Sequence, residues 1–140
     1  MIRQVIGDTS AIVAILRQNE RHHEWAKNKL LELPKPILTC EAVIAEACFL
    51  LGGHRNGQAA VLARVAEGIL SIEFSLGGEI DRVRELMNKY ADVPMSLADA
   101  CLVRMCEILD SSAVFTLDSD FQVYRRHGRQ MIPTIMPNAA

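Results

Sequence analysis

Aromatic side chains are scarce, at 5% of 140 residues. That is too few for a protein that holds nucleic acid mainly by base stacking. Excess charge of either sign is also missing. The net charge of −2 offers no bulk attraction for phosphate, so any nucleic-acid contact must come from a local patch or a bound metal. The four cysteines, Cys40, Cys48, Cys101 and Cys106, show no C-x-x-C spacing. They sit in apolar stretches and read as reduced core residues of a cytoplasmic protein. No charged segment followed by an apolar one opens the chain, so no signal peptide is expected. No membrane span is expected either: the longest apolar run, Ala42 to Leu51, is interrupted by Glu46. Phosphate-cradling motifs are absent. There is no G-x-G-x-x-G, and the loop Gly52-Gly53-His54-Arg55-Asn56-Gly57 lacks the lysine of a P-loop. His22 and His23 are adjacent and cannot share a helix face, while His54 and His127 stand alone, so no zinc spacing exists.

What is present is a globular composition, with half the residues hydrophobic and 23% charged. The length fits one domain, expected over residues 1–136, with a short tail over 137–140. Short apolar runs alternate with helical stretches. Strands are expected at Gln4–Gly7, Ile37–Thr39, Leu70–Phe74, around Ala113–Phe115 and near Ile132–Ile135. Helices are expected over Ala11–Arg17 with Thr9 or Ser10 as cap, Glu24–Leu33, Glu41–Leu51, Gln58–Glu67, Glu79–Tyr90, Leu97–Leu109 and Asp120–Arg126. The alternation predicts an α/β fold: a three-layer α/β/α sandwich around a parallel sheet of four to five strands.

Several acids sit oddly in this frame. Asp8 follows the first strand, where it can cap a helix or hold a metal. Glu46 has Ala42, Val43, Phe49 and Leu50 as its helical neighbours, which predicts a carboxylate on a buried apolar stripe. Glu41, in the first turn of the same helix, suits the helix dipole and reads as structural. Asp99 fits a capping box with Ser96, although Leu102 and Val103 put it on the core side of its helix. Asp118 and Asp120 follow the fourth strand together. Strand ends of a parallel sheet share one edge, so Asp8, Asp99 and Asp118 are expected to converge there. Clustered carboxylates raise one another's pKa unless a cation neutralises them, and oxygen-only donors suit Mg²⁺ or Mn²⁺. Such a site can cleave a phosphodiester. A Mg²⁺-binding phospho-acceptor domain and a non-catalytic protein-binding module are the competing readings.

Four segments carry a resemblance: Val-Ile-Gly-Asp8-Thr-Ser10-Ala, Ala-Val-Ile-Ala-Glu46-Ala, Ser-Leu-Ala-Asp99-Ala and Phe-Thr116-Leu-Asp118-Ser-Asp120-Phe. In this order the chain resembles the PIN-domain family, and within it the VapC-like toxins of bacterial toxin–antitoxin pairs. The resemblance implies a Mg²⁺- or Mn²⁺-dependent ribonuclease with Asp8, Glu46, Asp99 and Asp118 as its acidic site. Ser10 and Thr116 would be polar supports and Asp120 an accessory acid. It also implies a homodimer, an RNA substrate and a cognate antitoxin. Asp8 and Asp99 are the first candidates for direct metal ligands, with Asp118 completing the set and Glu46 orienting water or binding a second ion. Arg125, Arg126 and Arg129 follow the acidic loop and are candidate RNA phosphate contacts.

Overall fold

The apolar runs form strands because burial on both faces leaves no polar alternation to satisfy. In a computed structural model, which describes residues 1–138, they are β1 (Gln4–Gly7), β2 (Ile37–Thr39), β3 (Leu70–Ile72) and β4 (Ser112–Phe115). Two-residue strands follow at β5 (Arg125–Arg126), β6 (Gln130–Met131) and β7 (Thr134–Ile135). The helices are α1 (Thr9–Leu16), α2 (His23–Glu32), α3 (Glu41–Leu50), α4 (Gly57–Ala66), α5 (Ile80–Lys89) and α6 (Leu97–Ile108). Ala139 and Ala140, the end of the expected tail, lie outside the described residues.

The main sheet has five strands in the order β3-β2-β1-β4-β7, all parallel. This is the expected α/β architecture. Side-chain alternation assigns the helix layers. Ile37 and Phe115 face α1 and α2, where Trp25 lies 5.7 Å from the Phe115 ring. Leu38 faces the other way, onto Met105, Ile108 and Leu109 around the end of α6. Gly7 ends β1 without a side chain because a Cβ there would come within 2.8 Å of Ile37 Cγ2. All four cysteines are free thiols, and Cys40, Cys101 and Cys106 are buried. Among the described residues no helix is long and apolar enough to cross a membrane.

Several boundaries differ from expectation. α1 begins at Thr9, with Asp8 as its cap, because the Asp8 carboxylate accepts the Thr9 N–H. The helix expected over Asp120–Arg126 is a single 3-10 turn, Ser119–Gln122. Arg125–Arg126 instead pairs antiparallel with Gln130–Met131. His127 and Gly128 make that hairpin turn with φ of 51° and 82°, and a His-Gly pair in a polar run carries little strand signal. β3 stops at Ile72, short of Phe74.

An ion cluster locks the far end of α6. Glu107 is buried and accepts from Arg82 Nε (2.9 Å) and Nη2 (2.6 Å), Arg104 Nη1 (3.2 Å) and the His127 N–H (2.8 Å). One carboxylate thus joins α5, α6 and the β5–β6 hairpin. Burial alone would raise its pKa, but Arg82, the His127 amide and Arg104 outweigh burial and hold it at about 2. A depressed carboxylate stabilises the fold above its unfolded pKa and loses that contribution as pH falls toward the folded value. We expect Glu107 to contribute about 3 kcal/mol at neutral pH, lost between about pH 4.5 and pH 2. Denaturant titrations across that range should show this acid-labile component in the wild type and not in Glu107→Gln.

Candidate metal centre

The chain leaves β1 toward β2, while β4 lies on the other side of β1. The sheet order therefore reverses at the β1–β4 boundary, where a crevice opens outside the carboxyl ends of the strands. Asp8 follows β1 and Thr116 follows β4, and the Asp8 N–H donates to Phe115 O across the boundary (3.0 Å).

Asp8 is only 4% exposed, and its carboxylate accepts three hydrogen bonds. Oδ1 accepts the Thr9 N–H (2.8 Å). Oδ2 accepts the Ser10 hydroxyl (2.9 Å) and the Thr116 hydroxyl (2.6 Å). Each hydroxyl has one proton, and both protons go to Asp8, so the 3.2 Å contact between the two oxygens is not itself a hydrogen bond. The hydroxyls in turn accept backbone donors from the β4 loop: Leu117 N–H to Ser10 and Asp118 N–H to Thr116, each at 2.9 Å. Ser10 and Thr116 thus support both the acid and the loop. Burial pushes the Asp8 carboxyl up to about 6; the hydroxyl bonds work against this, and the Asp99 charge adds to it.

Asp99 stands in the first turn of α6. Ser96 caps the helix, accepting the Asp99 N–H at 3.0 Å. The Asp99 carboxylate has a different partner, the Tyr124 hydroxyl, which donates to Oδ2 at 2.7 Å. Burial raises the Asp99 pKa, and the Asp118 and Glu46 charges add to it against the Tyr124 bond. Tyr124 is fully buried, held edge-on by Tyr90 at 5.1 Å and Phe121 at 5.3 Å. Sequence reasoning missed it as a site residue. The available signal was a tyrosine just past the acidic loop, in a chain with only two tyrosines.

Asp118 caps the 3-10 turn, its Oδ1 accepting the Asp120 N–H at 2.9 Å. Asp120 joins the site directly: Asp99, Asp118 and Asp120 each place a carboxylate oxygen within 4.8 Å of the others. Asp8, Glu46, Asp99 and Asp118 line one open cleft with Ser10, Ser96 and Leu50. Glu46 does reach this cleft, but its stripe is not buried. Glu46 is exposed, as are Phe49 (82%) and Leu50 (43%), because α3 turns only Val43, Ile44 and Ala47 fully inward. Its apolar sequence runs around the helix, so spacing did not reveal which face meets the core.

The three arginines are placed differently. Arg125 Nη1 donates to Gln122, Val123 and Tyr124 carbonyls, closing the 3-10 turn. Arg126 Nη1 donates to Asp110 O, at the amino end of β4 and so at the opposite edge of the sheet. Arg129 is exposed on the hairpin, whose His127 amide is anchored by Glu107. The structure does not bring Arg126 to the acidic cleft.

The donor set fits a hard divalent cation. It is oxygen-only, carries converging like charges, and includes two carboxyls raised by burial. Comparison with known proteins decides the family, since the PIN domain profile matches residues 5–126, most of the chain. The chain belongs to the PIN-domain family. The matched PIN segment runs from β1 through β5 and contains every acid described above. The chain is also similar to Ribonuclease VapC26 of Mycobacterium tuberculosis, with 25% identity over 131 residues, covering 92% of this chain and 93% of the relative. The crystal structure of VapC20 from the same organism, described as a sarcin-ricin loop cleaving toxin, superposes with a TM-score of 0.73 at 20% identity. It covers 86% of this chain and 94% of its own, and supports the fold. The chain is thus a PIN domain distantly homologous to VapC ribonuclease toxins.

Replacing Thr116 with valine keeps the shape and removes both of its bonds. We expect Thr116→Val to lose about 1–3 kcal/mol, because a buried acceptor and a loop N–H lose their partner. Urea unfolding measures this directly, and a stability equal to wild type would contradict the supporting role of these two bonds.

Proposed function

We propose that this PIN domain is a divalent-metal-dependent endoribonuclease and the toxin member of a toxin–antitoxin pair. The observation that carries the reading is the convergence of Asp8, Glu46, Asp99 and Asp118, joined by Asp120, at the point where the sheet order reverses. Mg²⁺ or Mn²⁺ would be held by Asp99, Asp118 and Asp8. A bound ion supplies a Lewis acid for the phosphoryl group and makes the attacking water more acidic.

The chain's own residues divide the remaining work. Asp8, capped by Thr9 and held by two hydroxyls, keeps one carboxylate fixed while the cleft fills. Tyr124 fixes the Asp99 carboxylate by its single bond. Asp118 spends one oxygen on the Asp120 amide and leaves the other to the cleft. Glu46 is exposed on the rim and free to orient water and take its proton. The partners follow from the same reading: RNA as substrate, a cognate antitoxin, and a second copy of the chain. The exposed apolar side chains Phe49 on α3 and Leu62 on α4 support a protein contact. Free thiols support a cytoplasmic location.

The purified chain, free of any partner, should cleave structured RNA with Mg²⁺ or Mn²⁺ and stop with EDTA. Asp99→Asn should lose about 100-fold or more. Persistent cleavage in EDTA, or full activity in Asp99→Asn, would overturn the reading.

Metal binding should also follow the raised Asp8 carboxyl. Its protonated form is favoured below about 6, so a cation must displace that proton. Stabilisation by Mn²⁺ in thermal melts should therefore grow from about pH 5 to about pH 7 and then level off. A pH-independent increment would argue that Asp8 is not among the ligands.

A further inference from the structure

A second groove adjoins the acidic cleft and has the opposite charge. Leu16, Arg17, Gln18, Asn19, His54 and Arg55 line it, with two arginines and no acid, in a chain of net charge −2. The two regions are linked through Leu50, which lines the acidic cleft and whose carbonyl accepts a bond from Arg17 Nη2 at 2.7 Å. We propose that this groove binds the phosphodiester backbone of an RNA strand beside the scissile bond. The proposal rests on reading the acidic cleft as the site of RNA cleavage.

Arg17 is built for this task. It is the C-cap of α1, and its side chain crosses to the last residue of α3. The bond to Leu50 O occupies Nη2 and the Nε–H is buried, which leaves the Nη1 donors for an anion. A guanidinium presents five donors in a rigid fork, so a head held on one side by a carbonyl can still donate from the other. His54 and Arg55 are exposed in the loop between α3 and α4. Asn56 stands at the head of α4 with φ of 60° and makes no side-chain capping bond. The positive end of the α4 dipole is therefore added to the same loop.

Several other arginines are engaged in the fold: Arg82 and Arg104 hold Glu107, and Arg64 holds Glu67. Arg17 and Arg55 line the groove that the Arg17–Leu50 bond ties to the cleft. An acidic protein segment would also find two arginines here, but it would then run into four carboxylates. An RNA strand suits both regions: one phosphate would face the acids that would hold the cation, and its neighbours would lie along the arginines. The groove has no Phe, Tyr or Trp in its lining, and its two arginines suit contacts to backbone phosphate, which carry no sequence information.

The test uses a fluorescein-labelled, mixed-sequence RNA oligonucleotide in anisotropy titrations with Mn²⁺ over a range of KCl. The Asp99→Asn background keeps the strand intact. Arg55→Ala should weaken binding to oligonucleotides of different sequence alike and reduce the slope of log K against log salt by about one. Arg17→Ala should do the same, and Arg17→Lys should keep the slope while losing affinity. Arg17 also ties α1 to α3, so if Arg17→Ala does not fold, the exposed Arg55 variant still decides. A wild-type slope in a folded Arg55→Ala overturns the proposal. So does displacement of the RNA by polyglutamate at equal concentration, which would assign the groove to an acidic protein. Cleavage by the otherwise wild-type chain is assayed in parallel. Cleavage with an unchanged Arg55→Ala slope sinks the groove alone; a reduced slope without any cleavage sinks the nuclease reading and keeps the groove.

Discussion

The Asp8 carboxylate is the constraint on which the rest of the site depends. It ends β1, starts α1 and receives the two hydroxyls that shape the loop after β4. Removing a carboxylate from water is unfavourable unless it is paired or hydrogen-bonded. Here three donors make burial tolerable without making it comfortable, since the carboxyl remains raised. Capping and metal binding are often set against each other as explanations of an aspartate. At this position they are compatible. The cap and the hydroxyls hold the group in a place where a cation would relieve it.

α6 carries two charged centres with opposite electrostatic states. Asp99 near its start sits among other acids and is raised; Glu107, about 12 Å further along the helix, sits among arginines and is depressed. The Glu107 cluster is complete without any ligand: two arginines and an amide satisfy one carboxylate and fasten the hairpin. The acidic cluster is incomplete in the same sense. The first contributes to fold stability, and the second is kept apart from it by two turns of a well-packed helix. This separation lets acids repel one another at one end without loosening the other.

How much of this could be read from sequence follows from what each feature depends on. Strands were legible because runs such as Val114–Phe115 are buried on both faces. The convergence of Asp8, Asp99 and Asp118 followed from the rule that parallel strands end together. Glu46 was located but misjudged: α3 is apolar almost all round, and only packing decides which stripe faces in. Tyr124 was not found, because its role depends on a hydroxyl meeting Asp99 across 25 residues. The hairpin after it was read as helix, since its strands are two residues long and charged. Nearness in sequence points Arg125 and Arg126 to the acidic loop, yet the hairpin carries Arg126 to the other edge of the sheet. The basic groove was invisible for the same reason: Arg17 and Arg55 meet only because α1 and α3 end side by side.

The edges of the main sheet are short. β3 offers three residues, Leu70–Ile72, and β7 two, Thr134–Ile135, with Pro133 and Pro137 close on either side. Such edges present few free backbone groups, and the flanking prolines supply no amide donor. A partner chain therefore has little to gain by adding a strand to this sheet. Recognition of this protein falls to helix faces and side chains, and its sheet stays closed to the strand-to-strand stacking by which exposed edges aggregate.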